Sequence, residues 1–125
     1  MRIFRDAAGV HVEAPAKVNL YLEVLGKRPD GFHELITIMQ ATDFCDEVIV
    51  AEAASGVTLA VEGAELPTDD RNLVVRAAKA FLEAHAHGHG VKMRLVKRIP
   101  MGAGLGGGSS DAAATVVAID RLYGL

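Results

Sequence analysis

From Ala16 to Val24 apolar and polar residues alternate without a break. Ala16, Val18, Leu20, Leu22 and Val24 fall on one side, and Lys17, Asn19, Tyr21 and Glu23 on the other. A period of two is that of a half-buried strand. Val10 to Val12 predicts a short strand before it, and Gly26 to Gly31, G-K-R-P-D-G, carries turn chemistry after it. Leu35 to Ala41 and Val48 to Ala51 read as two further strands, antiparallel neighbours across a turn at Asp43 to Asp46, and Val57 to Val61 as another. The polar stretch Glu62 to Arg71, with Pro67 and Asp69-Asp70, reads as a loop. The spacing then changes. Leu73, Val74, Ala77, Ala78, Phe81 and Leu82 follow a helical period, opened by an Asp70 or Asn72 cap and stopped by the glycines between His85 and Gly90. Val91, Met93, Leu95 and Lys97 alternate with Lys92, Arg94 and Val96, which predicts a strand running into Pro100. A last helix is expected over Asp111 to Tyr123. The order of elements predicts an α+β fold with a mostly antiparallel or mixed sheet.

The totals narrow this picture. A chain of 125 residues, half of them hydrophobic and 23% charged, fits one globular domain. Its net charge is −3 with no basic block, which argues against nucleic acid as a partner. No secretory signal follows the charged start Met1 to Asp6, and the nearly apolar stretch Ala112 to Ile119 is too short to span a bilayer, so no membrane partner is expected. A single cysteine, Cys45, fits a reducing, cytoplasmic setting and reads as a small, partly buried thiol.

Candidate chemistry concentrates in Pro100 to Asp111, P-M-G-A-G-L-G-G-G-S-S-D, with five glycines between a strand and a helix. Glycine lets backbone N–H groups crowd against a ligand, and a helix N-terminus directly afterwards adds unpaired donors and a positive dipole end. Together they make an anion site, most often for phosphate. A flexible linker is the plainer alternative, but linkers seldom join two strongly patterned elements. The run is not a Walker A loop, because Gly108 stands where the lysine belongs. Gly102, Gly104 and Gly107 match a dinucleotide fingerprint, yet Asp120 falls within the helical pattern instead of at the end of a second strand.

A third loop type fits. P-x-G-x-G-L-G-G-G-S-S resembles the phosphate-binding motif of the kinase superfamily that includes galactokinase, homoserine kinase and mevalonate kinase. Pro15 to Leu20, P-A-K-V-N-L, and Arg28 to Leu35, R-P-D-G-F-H-E-L, resemble the first motifs of the branch whose acceptor is a cytidine-diphosphate-linked methylerythritol. N-L-V-V-R-A-A, Asn72 to Ala78, follows in the same order, so the resemblance runs from about Ala14 to Leu125. It implies the N-terminal part of a two-domain fold of the ribosomal-protein-S5-domain-2-like type, a mixed or antiparallel sheet with helices on one side. It also implies ATP-dependent phosphorylation of a small-molecule hydroxyl, with magnesium, as a step towards isoprenoid precursors. ATP phosphates would lie under Pro100, Met101, Gly102, Ala103, Gly104, Leu105, Gly106, Gly107, Gly108, Ser109 and Ser110, the two serines also serving as helix caps. Lys17 would be catalytic, beside the acceptor hydroxyl, with Asn19 about 7 Å along the same strand face. Phe32 and His33 would hold the cytosine, Phe32 where the family has tyrosine, and Met39 stands where a second aromatic is common. Asn72 and Lys97 are weaker candidates for the adenine side. Asp111 is expected to complement the helix dipole in the first turn and not to bind magnesium. His85, His87 and His89 suggest a metal only by number; solvated histidines at a helix end fit better. No metal ligands are expected.

The resemblance further implies a chain that stops early. Relatives are more than twice as long and carry their catalytic aspartate beyond the last helix. Residues 1–125 are therefore expected to form an N-terminal nucleotide-binding domain incomplete at its C-terminal end, without the second domain. Part of the last helix, through Ala113, Val116, Val117 and Ala118, is then expected to show an exposed apolar face.

Overall fold

A computed structural model describes the backbone of residues 2–27, 33–99 and 107–124, and the side chains of these outside 16–44. Five strands and two helices follow in the order β1 (Ile3–Asp6), β2 (Gly9–Lys27), β3 (His33–Ala53), β4 (Val57–Glu62), α1 (Leu73–His85), β5 (Gly90–Val96) and α2 (Gly107–Tyr123). The sheet is mixed, in the spatial order β1-β2-β3-β5-β4. β4 and β5 run parallel, with α1 as their crossover, and the other pairs are antiparallel. The α+β expectation with a mixed sheet is met.

One expectation fails. Leu35 to Ala41 and Val48 to Ala51 are not two strands across a turn; they belong to the single 21-residue strand β3. The polar cluster at Asp43 to Asp46 instead marks a register shift. Pro15 pairs with Cys45 and Lys17 with Ala41, so β3 carries extra residues there without reversing. Local polarity read as turn punctuation is thus a bulge. On β2 the short Val10–Val12 strand and the Ala16–Val24 strand are likewise one element.

Both helices cover the same side of the sheet. Val10, Val12 and Ala14 of β2, Val48 and Val50 of β3, Leu59 of β4, and Val91, Met93 and Leu95 of β5 pack with Val74, Val75, Ala78 and Leu82 of α1 and with Ala114, Ala118 and Ile119 of α2. Alternation on β5 selects this face: Lys92 and Arg94 are exposed between buried Val91, Met93 and Leu95. α1 begins at Asn72, whose side chain accepts from the Val74 amide at 2.9 Å. Asn72 is therefore the cap and Asp70 is not. On α2, Ala113 is exposed, Val116 and Val117 are half-buried and Ala118 is buried, so the expected apolar face is only partly uncovered.

Two contacts fix the outer parts. Gly63, at φ +87, lies where an added Cβ would sit 2.3 Å from the Lys97 carbonyl oxygen, so only glycine fits the end of β4 against β5. Arg5 on edge strand β1 donates to the carbonyls of Arg121 at 3.1 Å and Leu122 at 3.2 Å, in the last turn of α2. Those carbonyls have no partner inside the helix.

Candidate functional site

The glycine-rich run joins the end of β5 to the start of α2, and both of its anchors are described. On the strand side, Ile99 is buried. On the helix side, α2 begins at Gly107, earlier than the expected Asp111. Ser109 and Ser110 consequently lie within the helix and are not its caps. Gly108 and Ser109 are exposed. Among the described residues, a Cβ on Gly108 would meet nothing within 4 Å. Ser110 is used otherwise: its hydroxyl donates to the Pro15 carbonyl at 2.8 Å, tying α2 to β2 two residues before Lys17. No acidic residue stands in the first turn of α2, so the helix itself brings no negative charge to its positive dipole end.

Asp111 explains that clear end. It is not a first-turn complement to the dipole. It is 2% exposed and turned inward, accepting from Lys97 Nζ at 2.9 Å through Oδ2. The same ammonium donates to Asp46 Oδ2 at 2.7 Å, and Asp46 is fully buried. Asp46 Oδ1 accepts the backbone amides of Arg98 at 2.6 Å and Ile99 at 2.8 Å. Lys97 continues the inward phase of Val91, Met93 and Leu95, and a lysine there needs carboxylates to balance it.

The charges divide unequally. Burial pushes the Asp111 carboxyl up to about 7, and the neighbouring Asp46 adds to the rise while Lys97 opposes it. Burial also pushes Asp46 up, but hydrogen bonding with Asp111, the Ile99 amide, Lys97 and the Arg98 amide outweighs it and holds this carboxylate low. Burial pulls Lys97 down, and its bonds to the two carboxylates more than reverse that. Below neutrality the cluster is one ammonium, one carboxylate and one carboxylic acid. Asp111 Oδ1 is buried without a hydrogen-bond partner among the described residues, which a neutral carboxyl tolerates better than an ionised one.

The expected site residues separate into three groups. Pro100 to Gly106 and Phe32 lie outside the described residues. Lys17, Asn19 and His33 are placed by backbone: Lys17 pairs with Ala41 and Asn19 with Met39 on the β2–β3 ribbon, while His33 opens β3 opposite Lys27. Gly107, Gly108, Ser109 and Ser110 form the start of α2. Asn72 and Lys97, set against adenine by resemblance, both have other work. Asn72 caps α1 and donates from Nδ2 to the Pro67 carbonyl at 2.9 Å, and Lys97 is the centre of the buried cluster.

The histidines near α1 do not converge. His85 lies against Phe81 at 4.8 Å, His89 against Tyr123 at 4.6 Å, and His87 pairs with Glu83 at 3.5 Å. Among the described residues, no group of three or more His, Cys, Asp or Glu could hold a metal ion. A second, partly buried ionic cluster lies on β1–β3. His11 bonds Glu47 Oε1 at 2.6 Å through Nδ1 and Asp6 Oδ1 at 2.8 Å through Nε2, and its ring stacks on Phe4 at 4.3 Å. Burial pulls its pKa down, but the two carboxylates outweigh that and raise it above 6.5.

A mixed sheet with both helices on one face is shared with solved kinase structures at 27–45% identity. Residues 72–125 match the family model described as GHMP kinases N terminal domain, and the chain is a homologue of the N-terminal part of these enzymes. The similarity reaches one branch in particular. A 4-diphosphocytidyl-2-C-methyl-D-erythritol kinase from Syntrophomonas wolfei is 46% identical over 114 residues, 91% of this chain and 40% of the relative. The kinase of the same name from Deinococcus radiodurans is 51% identical over 113 residues, 90% of this chain and 38% of the relative. A crystal structure of 4-(cytidine 5'-diphospho)-2C-methyl-D-erythritol kinase superposes with a TM-score of 0.70 at 45% identity, covering 90% of this chain and 40% of that one. The chain thus spans about 40% of the length of the relatives it matches.

Proposed function

We propose that the chain supplies the ATP-binding part of a kinase that phosphorylates the 2-hydroxyl of 4-diphosphocytidyl-2-C-methyl-D-erythritol, a cytoplasmic step in non-mevalonate isoprenoid precursor synthesis. In this reading residues 1–125 form its N-terminal nucleotide-binding domain. The observation that carries the reading is the identity of 46% and 51% to kinases of that name across the three motif regions. The geometry fits an anion at the start of α2: a Cβ on Gly108 would meet nothing within 4 Å among the described residues, Ser109 is exposed, and Asp111, the first carboxylate along α2, is turned inward against Lys97.

Phosphoryl transfer asks the protein mainly for positioning and charge compensation. Backbone N–H groups of Gly104 to Ser110 would hold the phosphates, with the α2 dipole behind them. Lys17 would place its ammonium beside the acceptor hydroxyl, favouring loss of its proton and offsetting negative charge in the transition state. Asn19 would orient the same acceptor, while Phe32 and His33 would bind the cytosine by stacking and by hydrogen bonds to its edge. Magnesium, the usual companion of ATP phosphates, finds no carboxylate set among the described residues, and no step is assigned to it.

The test is calorimetric titration of the chain with ATP, then with the cytidylyl substrate, followed by a turnover assay. ATP uptake that a Gly107→Val variant loses supports the site. An absence of ATP binding refutes the reading, and ATP binding without turnover is the result expected of the ATP-binding part alone.

A further inference from the structure

Three ionisable side chains from separate parts of the chain meet between the two anchors of the glycine run. Asp46 reaches forward from β3 and takes the Arg98 and Ile99 amides, the last backbone donors before Pro100. Lys97 reaches from the end of β5 and joins Asp46 to Asp111, which lies one turn into α2. The backbone of Lys97 is fixed from the other side as well. Its amide donates to the Glu62 carbonyl at 2.8 Å, and its carbonyl lies against Gly63. On the helix side, Ser110 adds the bond to Pro15, which pairs with Cys45 next to Asp46. A continuous hydrogen-bonded path therefore runs from the residue before the glycine run to the first turns of the helix after it.

Burying such a cluster is costly. Apolar residues of equal volume often stabilise a core as well or better, whereas removing one partner of a buried ion pair leaves an uncompensated charge. What apolar packing would not supply is direction. Two acidic side chains on one ammonium fix where Ile99 stops and how far α2 begins from it.

We infer that Asp46, Lys97 and Asp111 act as a buried clasp that sets the separation and angle of the two anchors of the glycine-rich segment. They are positioning residues for the anion site and do not touch the nucleotide. The inference deepens the proposed function and rests on it for the identity of the ligand. It departs from the adenine-side role that resemblance suggests for Lys97.

Amide hydrogen exchange read by NMR, combined with ATP titration at a temperature where every variant is folded, tests it. In Lys97→Met the Arg98 and Ile99 amides should exchange at least tenfold faster, because Asp46 loses its counter-charge, and ATP affinity should fall at least tenfold. Asp111→Leu should weaken ATP comparably, and Asp111→Asn, which keeps an acceptor for Nζ, should recover most of that loss. Weakened ATP binding with unchanged exchange in Lys97→Met would show a direct nucleotide contact and overturn the clasp. Faster exchange with unchanged ATP affinity would leave a merely structural cluster and overturn it too. If Lys97→Met does not fold, the Asp111→Leu and Asp111→Asn pair decides, equal ATP affinities in the two refuting the inference. Should the wild-type chain bind no ATP, the functional reading fails. The exchange data then decide the clasp alone, and unchanged rates at Arg98 and Ile99 refute it.

Discussion

Replacing Asp111 by asparagine should flatten the pH dependence of folding stability. In the native protein this carboxyl titrates at about 7 against 3.8 for an ordinary aspartate. Between those values the folded chain holds a proton that the unfolded chain has released, so stability falls as pH rises through this window. It is level above it, and what Asp111 contributes is fully present only below 3.8. At 1.36 kcal/mol for each pH unit, the whole window is worth roughly 4 kcal/mol, of which roughly 3 falls between pH 5 and pH 8. Against a typical domain stability of about 5–15 kcal/mol that is a large effect. Asp46 works in the opposite sense, its lowered pKa adding stability that is lost as pH falls below the ordinary range, so measurements from pH 5 upward avoid it. His11 does overlap. Its raised pKa gives stability present below 6.5 and lost as pH rises through the folded value, but it does so in both proteins. The difference between wild type and Asp111→Asn therefore isolates Asp111. Urea unfolding at 25 °C at pH 5, 6, 7 and 8 is the assay. The variant should lose less than the wild type across this range by roughly 3 kcal/mol. Parallel profiles would refute the claim that Asp111 is buried as a carboxylic acid.

Three further outcomes are expected. Gly63→Ala should lower stability by more than about 2 kcal/mol, since φ is +87 there and the new methyl would meet the Lys97 carbonyl; a thermal melt unchanged from wild type would contradict this. Ser110→Ala, which removes the bond from α2 to Pro15, should cost about 1 kcal/mol in chemical denaturation. The His11 ring should titrate above 6.5 by NMR, and Glu47→Gln should bring its midpoint down; an unmoved midpoint would mean that the Glu47 contact does not carry the shift.

Much of the fold could be read from local pattern, and what escaped depended on distant partners. α1 is legible as a helix, with its cap narrowed to Asp70 or Asn72, because a helical period and a side-chain cap are both local signals. β5 was legible because its alternation matches its burial. Asp46 reads as part of a turn in the sequence, since the groups that satisfy it, Lys97 and the Arg98 and Ile99 amides, lie more than 50 residues on. The early start of α2 was hidden by residues that favour loops and caps when considered alone, Gly107, Gly108, Ser109 and Ser110. One signal for the buried cluster did exist: Lys97 falls in phase with Val91, Met93 and Leu95, and a lysine on a core face demands an acid nearby. The pattern could not say which acid.

The reach of Arg5 to the carbonyls of Arg121 and Leu122 carries a consequence for biogenesis. Chains emerge from the ribosome N-terminus first. β1 and β2 form a local hairpin and can pair early, whereas the carbonyls that Arg5 binds belong to the last turn of α2, more than 110 residues on. During synthesis the guanidinium has to wait on a finished sheet edge until residue 122 appears. A bulky extension at the N-terminus would therefore be felt late, as slow docking of α2, and not as a failure of the sheet to form.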